Sequence, residues 1–309
     1  MRWGKKEPTI EAKFAAKRRA WSRKPRILQT KHRVYLGDAR FMSELEPGSV
    51  HLVVTSPPYW NLKKYPDLPA GQLGNFAEYS EFLQELRRTW ERCFQALVPG
   101  GRMCIVVGDV CLSRRKAGRH SVVPLHSDIS QDCIQLGFEY LSPIFWYKIA
   151  NAVTEVAGNG ATFLGKPYEP NAVIKNDVEY ILLFRKPGYR TPTTQQRALS
   201  IIEREDHERW FRQIWADIPG KLRVDGHPAP YPKEVAFRLI NMFSFVGDTV
   251  LDPFWGTGTT TVAAVESHRL SIGYEIEPKY LDVGKARFQK SNPEATVDFL
   301  NSSSLAGLV

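Results

Sequence analysis

The sequence has little cysteine, no metal-ligand pattern and no long hydrophobic run. Its four cysteines form no Cys-x-x-Cys pair among 309 residues, and the seven histidines do not cluster with them. A disulfide framework and a structural zinc site are therefore not expected. Residues 1–6 lack the apolar region of a signal peptide, and no stretch is long enough to span a bilayer. These absences predict a cytoplasmic protein with no metal and no membrane partner.

Basic charge is concentrated at one end of the chain. Residues 1–33 hold twelve Lys and Arg against two Glu, whereas the rest is close to neutral and the whole chain carries +9. This basic arm can form a helix over residues 7–24, with Arg18 and Arg19 on its polar side. Two interpretations stay open: a solvated terminal segment, or a segment that binds a nucleic-acid phosphate backbone.

Alternating apolar runs and amphipathic segments indicate an α/β domain with a mostly parallel sheet. Apolar residues make up 43% of the chain, which is enough for a packed core. We predict strands at 33–36, 50–54, 102–107, 249–252 and 271–274, with an antiparallel edge pair at 140–148 and 178–185. Helices are predicted at 39–46, 79–97 and 233–243, and two more end near 136 and 267. Two long segments, 149–177 and 186–226, are irregular over most of their length and predict functional loops, the second with a helix at 200–215.

The stretch Thr55-Ser56-Pro57-Pro58-Tyr59 follows a strand with a buried-type sequence. Two consecutive prolines cannot continue a sheet ladder or donate backbone hydrogen bonds, so the strand ends here. Each proline also restricts the residue before it, which makes the backbone from Ser56 to Tyr59 stiff. The carbonyl groups of Ser56 and Pro57 are then held without a sheet partner. Such carbonyls suit a site that accepts the hydrogens of an amino group.

A second signal lies near the carboxyl end, in the stretch from Asp252 to Thr260. Gly256 and Gly258 allow a ligand to approach the backbone at the start of a helix, and Asp252 can hold a cationic group. Glu275 ends the next strand about twenty residues later, where an acidic side chain can bind ribose hydroxyls.

The same unit resembles a dinucleotide site, so a nicotinamide oxidoreductase is one alternative. The third glycine of that fingerprint is missing, since Thr259 and Thr260 follow Gly258. A zwitterionic cofactor without phosphate therefore fits the loop better than a dinucleotide does.

The two stretches together resemble the amino-group DNA methyltransferases of the permuted type, in which the catalytic motif precedes the cofactor motif. The similarity covers residues 34–289, with His-Pro-Ala-Pro-Tyr-Pro at 227–232 before the cofactor strand, and it is greatest to the cytosine-N4-specific modification enzymes. The resemblance implies a three-layer, Rossmann-like, S-adenosylmethionine-dependent methyltransferase fold. It also implies double-stranded DNA as partner, a cognate restriction endonuclease acting on the same site, and a bacterial, archaeal or phage origin.

The resemblance leaves the basic arm at 1–33 and the segments 149–177 and 186–226 unmatched. Residues 34–309 would form one methyltransferase domain, with a catalytic half at 34–148 and a cofactor half at 227–290. We predict that the two unmatched segments inside this domain recognise the target. The catalytic residues would be Ser56, Pro57, Pro58 and Tyr59. The S-adenosylmethionine site would comprise Asp38, Thr55, Asp252, Pro253, Phe254, Gly256, Gly258, Thr259 and Glu275. DNA contacts are expected from Arg18, Arg19, Arg114, Arg115, Lys116 and Lys148.

The residue at position 56 bears on the target base. Family members with Ser-Pro-Pro-Tyr usually methylate cytosine N4, whereas Asp or Asn in place of Ser56 more often accompanies adenine N6. Tyr59 would stack on a base extruded from the duplex, and the amino group would attack the methyl group directly. Adenine N6 methylation and an inactive DNA-binding protein on the same fold stay open as alternatives. The sequence departs from the family at Trp255, where a small or flexible residue is common.

Overall fold

The computed structural model describes residues 30–60, 72–112, 118, 121–148, 176–220 and 231–303. Five of the predicted DNA contacts lie outside these ranges, as do most of the basic arm and nearly all of the segment 149–177. Those five residues are Arg18, Arg19, Arg114, Arg115 and Lys116. In the described ranges no helix is long and apolar enough to cross a membrane.

The described strands form a nine-stranded sheet and a small antiparallel hairpin. The order in the large sheet is β11-β1-β10-β9-β2-β3-β7-β6-β8, and β4 pairs with β5. Strand β7 runs antiparallel to both β3 and β6, while the other pairs of the large sheet are parallel. The strands are β1 (His32–Leu36), β2 (Val50–Thr55), β3 (Leu97–Val107), β4 (Val110–Leu112), β5 (Ser121–Val123), β6 (Glu139–Tyr147), β7 (Val178–Arg185), β8 (Ile214–Trp215), β9 (Thr249–Asp252), β10 (Leu270–Glu275) and β11 (Val297–Asn301).

Helices cover both faces of the large sheet. On one face, α1 buries Phe82, Leu86 and Trp90 along a single helical stripe against the sheet, and α2 adds Ile129. On the other face, α5 and α6 bury a second apolar cluster that includes Leu239. The described α-helices are α1 (Tyr79–Ala96), α2 (Leu125–Gln135), α3 (Thr194–Leu199), α4 (Arg204–Trp210), α5 (Lys233–Phe243), α6 (Thr259–Glu266) and α7 (Pro278–Ser291). The predicted three-layer α/β fold with a mostly parallel sheet is confirmed.

The predicted helix at 39–46 is wrong, because this segment is a series of turns. The Asp38 carboxylate accepts a hydrogen bond from the backbone N–H of Arg40 and so competes with helical bonding. Met42 also has a positive φ of 39°, which a right-handed helix does not allow. The chain therefore turns tightly after β1 and leaves Asp38 at the edge of the sheet.

Three other element boundaries differ from the sequence-based prediction. Helix α1 ends at Ala96, and β3 begins at Leu97 and passes through Pro99. Residues 200–215 are not one helix, since only α4 is helical and Ile214–Trp215 forms β8. The predicted antiparallel pair is present as β6 and β7, with β8 placed beyond β6 at the sheet edge. Packing against distant strands, which local patterns do not report, decides each of these cases.

Candidate active site

The two sequence motifs meet at the carboxyl ends of neighbouring strands. Strand β2 leads into the acceptor loop, which we define as residues 55–60, and the adjacent strand β9 leads into the cofactor loop, residues 252–258. Ligands of open α/β proteins bind at this edge of the sheet. A cleft between the loops is lined by all the predicted catalytic and cofactor residues except Thr55 and Gly258.

The acceptor loop keeps the carbonyl groups of Ser56 and Pro57 available. From the described residues, no hydrogen bond reaches either carbonyl oxygen. The Ser56 hydroxyl lies 3.4 Å from the Tyr59 hydroxyl, which also lies 3.4 Å from the carbonyl oxygen of Val106. Burial is the main cause that raises the pKa of Tyr59 well above its ordinary value. Tyr59 is therefore a neutral aromatic ring at physiological pH.

Asp252 holds the two loops together. Its carboxylate accepts hydrogen bonds from the Thr55 hydroxyl at 2.7 Å and from the backbone N–H of Phe254 at 3.1 Å. The Thr260 hydroxyl is a third partner, and Tyr231 in turn bonds Thr260. Burial raises the pKa of Asp252 to about 6 in spite of these bonds. A contact between Asp252 and a cationic group of a ligand stays a prediction. In the structure, the Asp252 carboxylate holds the cofactor loop in shape through these hydrogen bonds.

Glu275 at the end of β10 closes the other side of the cleft. Its Oε2 accepts a hydrogen bond from the backbone N–H of Gly256 at 2.7 Å, and its Oε1 accepts one from the backbone N–H of Glu277 at 2.9 Å. Burial raises the pKa of Glu275 to about 7. Each carboxylate oxygen has a second lone pair, so the group can also accept from ribose hydroxyls.

Trp255 packs inside the cofactor loop rather than disturbing it. Its indole is 2% exposed and Nε1 donates to the Thr261 hydroxyl at 2.8 Å. Three glycines provide the space, because a Cβ would lie 2.7, 2.2 and 2.4 Å from indole atoms at Gly258, Gly273 and Gly284. The departure at Trp255 is therefore matched by small residues around it.

The charge of the cleft indicates what it can bind. None of the described residues that line it is Lys, Arg or His, while Asp38, Asp252 and Glu275 contribute three carboxylates. Asp38 is also bonded to Arg40, which lies behind it. An acidic lining without a cation disfavours the phosphates of a dinucleotide and suits a cationic cofactor that lacks phosphate.

Two residues near the cleft, Tyr231 and Glu179, are assigned no role by the sequence-based prediction. Tyr231 belongs to the stretch 227–232 of the family resemblance, and it lines the cleft between the loops. Glu179 of β7 forms an ion pair with Lys148, a predicted DNA contact, whose Nζ is 2.7 Å from Oε1. No local pattern marks Glu179, because its position depends on the pairing of β6 with β7.

The chain is similar to known proteins over the part that holds both loops. Residues 50–286 match the family model of the N6/N4 DNA methylases, and the match includes both loops. The type II methyltransferase M.MjaI of Methanocaldococcus jannaschii is 41% identical over 276 residues, which are 81% of this chain and 88% of the relative.

Solved structures show the same architecture. The putative DNA modification methylase TTHA0409 of Thermus thermophilus, solved with S-adenosyl-L-methionine, superposes with a TM-score of 0.72 at 47% identity, over 88% of this chain and 99% of the other. The PvuII DNA methyltransferase, which is cytosine-N4-specific, shares the fold with a TM-score of 0.58 at 19% identity, over 86% and 94%.

Fold and cleft together define an S-adenosylmethionine-dependent methyltransferase. The chain belongs to the DNA methylase family, whose members modify exocyclic amino groups, and it is a type II DNA methyltransferase. The predicted family, cofactor and fold are confirmed. The acidic lining of the cleft fits this cofactor, which is cationic and lacks phosphate. When bound, S-adenosylmethionine supplies an electrophilic methyl group.

Proposed function

We propose that this protein methylates the exocyclic N4 of cytosine within a short sequence of duplex DNA. The observation that carries the proposal is the acceptor loop, in which Ser56 precedes two prolines and Tyr59. Methyltransferases with this motif usually act on cytosine, as noted above. The base would leave the duplex to enter the cleft beside Tyr59.

The residues of the acceptor loop have the properties that the reaction needs. An exocyclic amino nitrogen is a poor nucleophile because its lone pair is delocalised into the ring. The carbonyls of Ser56 and Pro57, with the Ser56 hydroxyl, would accept both amino hydrogens and favour a tetrahedral nitrogen. Pro58 stiffens this arrangement, and the neutral Tyr59 ring would stack on the base. The nitrogen would form a bond to the methyl carbon while the bond from that carbon to the sulfonium sulfur breaks, which leaves the neutral thioether, and one amino proton would pass to solvent.

The cofactor side would be divided between the two ends of the cleft. Pro253, Phe254, Gly256 and Thr259 would surround the methionine part, with Thr55, Asp252 and Gly258 holding the loop in shape. Glu275 would accept from the ribose hydroxyls, and Asp38 would lie at the adenine end. Lys148, the basic arm and residues 114–116 would contact DNA.

Mass spectrometry of nucleosides from DNA methylated by the protein tests the target base. We expect N4-methylcytosine with the wild-type protein and, at the same early reaction time, about 10- to 100-fold less of it with Tyr59→Ala. Detection of methyladenine alone would overturn the cytosine assignment and leave the methyltransferase itself in place. Sequencing of modified genomic DNA from expressing cells then gives the recognition sequence.

We also propose that the methylation protects this sequence from a cognate restriction endonuclease. The relatives that carry type II names support this role. Once the recognition sequence is known, methylated and unmethylated plasmids can be exposed to endonucleases that cut there. We expect cleavage of the unmethylated plasmid only.

A further inference from the structure

A buried ion pair lies beside the acceptor loop, on strands outside the two sequence motifs. Glu179 of β7 is 8% exposed, and Lys148 lies directly after β6. Antiparallel pairing sets Trp146 opposite Glu179 and bonds the backbone N–H of Lys148 to the carbonyl of Asp177. The Lys148 Nζ is 2.7 Å from Oε1 of Glu179. The strand register therefore fixes the position of this carboxylate.

The side chains of Glu179 and Tyr59 both lie against Gly108, which has no side chain of its own. A Cβ on Gly108, just beyond β3, would lie 3.3 Å from Cγ of Glu179 and 3.4 Å from Cε2 of Tyr59. Nothing larger than a hydrogen therefore separates the two side chains from the backbone of Gly108. The carboxylate is close enough to the Tyr59 hydroxyl to contribute to its raised pKa.

Strand pairing alone does not account for a buried carboxylate at this place. Burial of a charge costs desolvation energy that its ion pair only partly returns. The opposite ends of the same strands carry another pair, Glu139 with Arg185, in which the Glu139 side chain is 44% exposed, whereas that of Glu179 is 10% exposed. The buried carboxylate is the one that lies beside the acceptor loop.

We propose that Glu179, held by Lys148, is a positioning residue that fixes the Tyr59 ring for stacking on the extruded base. Lys148 keeps two further N–H donors on an ammonium that is about one-third exposed, and these can reach DNA. The inference rests on the proposed base site at Ser56 to Tyr59, but not on which base is methylated.

Steady-state methylation of the target duplex by Glu179→Gln tests the proposal. We expect kcat to fall about 5- to 10-fold, because a misplaced ring loses part of the stacking that Tyr59→Ala loses altogether. The dissociation constant for S-adenosylmethionine, measured by calorimetry, and the melting temperature should match those of the control Glu139→Gln. A loss of less than about threefold, or a loss accompanied by weaker cofactor binding, overturns the inference.

A double-mutant cycle shows whether Glu179 acts through Tyr59. In the Tyr59→Phe background, which lacks the hydroxyl, Glu179→Gln should reduce kcat much less than in the wild type. Equal losses in the two backgrounds would contradict a role through Tyr59. If Glu179→Gln fails to fold, Glu179→Asp takes its place, since it keeps the charge and withdraws the carboxylate by one methylene from Lys148 and Tyr59, and the same criteria apply.

The outcome with Tyr59→Ala separates this inference from the proposed function. If Tyr59→Ala keeps full turnover, the assignment of the base site itself is wrong. If Tyr59→Ala is inactive while Glu179→Gln is fully active, the site stands and the role of Glu179 falls.

Discussion

Thr55 donates its hydroxyl hydrogen to Oδ1 of Asp252 across 2.7 Å, although the two residues are 197 positions apart in the chain. Both side chains are buried. The bond joins the acceptor loop to the cofactor loop, and in the proposed function the distance between the two loops sets that between the amino group and the methyl donor. Neighbouring strands β2 and β9 provide the frame within which this contact forms.

Replacement of Thr55 by Val should weaken both stability and cofactor binding. The buried carboxylate of Asp252 loses one donor, which we expect to cost about 1.5 to 3 kcal/mol of unfolding free energy. Urea denaturation and calorimetric titration with S-adenosylmethionine measure the two effects. Thr89→Val is the matched control, because the Thr89 hydroxyl is buried with no partner among the described residues and its loss should be neutral or stabilising. Equal behaviour of the two variants would contradict a linking role for Thr55.

Replacement of Tyr59 by Ala should remove most turnover and leave cofactor affinity nearly unchanged. Base stacking on an aromatic ring contributes about 1 to 3 kcal/mol, so kcat should fall about 10- to 100-fold. Single-turnover methylation and calorimetry give the two quantities separately. Tyr59→Phe keeps the ring but lacks the hydroxyl beside Glu179, so its kcat should fall only by about as much as that of Glu179→Gln. A large loss of cofactor affinity in Tyr59→Ala would show that this residue supports the cofactor loop instead.

The stability effect of Glu275 should depend on pH. Its pKa is raised from 4.5 to about 7, so the folded state binds the proton more tightly than the unfolded state. The stabilising contribution is therefore complete below about pH 4.5 and lost as the pH rises through about 7. Glu275→Gln, whose amide does not titrate, should gain stability relative to the wild type by on the order of 2 kcal/mol between pH 5 and pH 8.

Thermal melting of both proteins between pH 5 and pH 8 measures this difference. The comparison with Glu275→Gln is needed because the titration of His32 changes the stability of both proteins with pH in the opposite direction. Burial lowers the pKa of His32 to about 4, so its effect destabilises the fold as the pH falls. The variant should also bind S-adenosylmethionine more weakly. A pH-independent difference between the two proteins would contradict the raised pKa.

A methyl group at Gly284 should be tolerated only when Trp255 is smaller. A Cβ there would lie 2.4 Å from Cζ3 of Trp255, and overpacking of this kind costs about 1 to 3 kcal/mol. In the Trp255→Leu background the indole is gone and the contact of 3.2 Å with the backbone carbonyl carbon of Thr257 is left, so Gly284→Ala within α7 should cost much less. Urea denaturation of the four proteins gives the coupling energy. Additive effects would mean that Trp255 can move away without cost.

The sequence was most informative where backbone chemistry is local. Pro57 and Pro58 necessarily end β2, and Gly256 and Gly258 mark the turn after β9, so both loops and their strands were predictable. The turn at Met42 was missed because the Asp38 carboxylate, rather than helix propensity, decides the path of the chain. The place of Glu179 beside Tyr59 was also missed. It depends on the register of β6, β7 and β3, which no local pattern contains.

The order of strands also bears on protein synthesis. Strand β1 lies between β10 and β11, and β2 pairs with β9, so the first two strands obtain these partners only from the last third of the chain. A nascent chain that has emerged through β7 holds the acceptor loop but lacks Asp252, Glu275 and part of the sheet. The cleft can therefore be completed only after β9 and β10, with Asp252 and Glu275 at their ends, have left the ribosome.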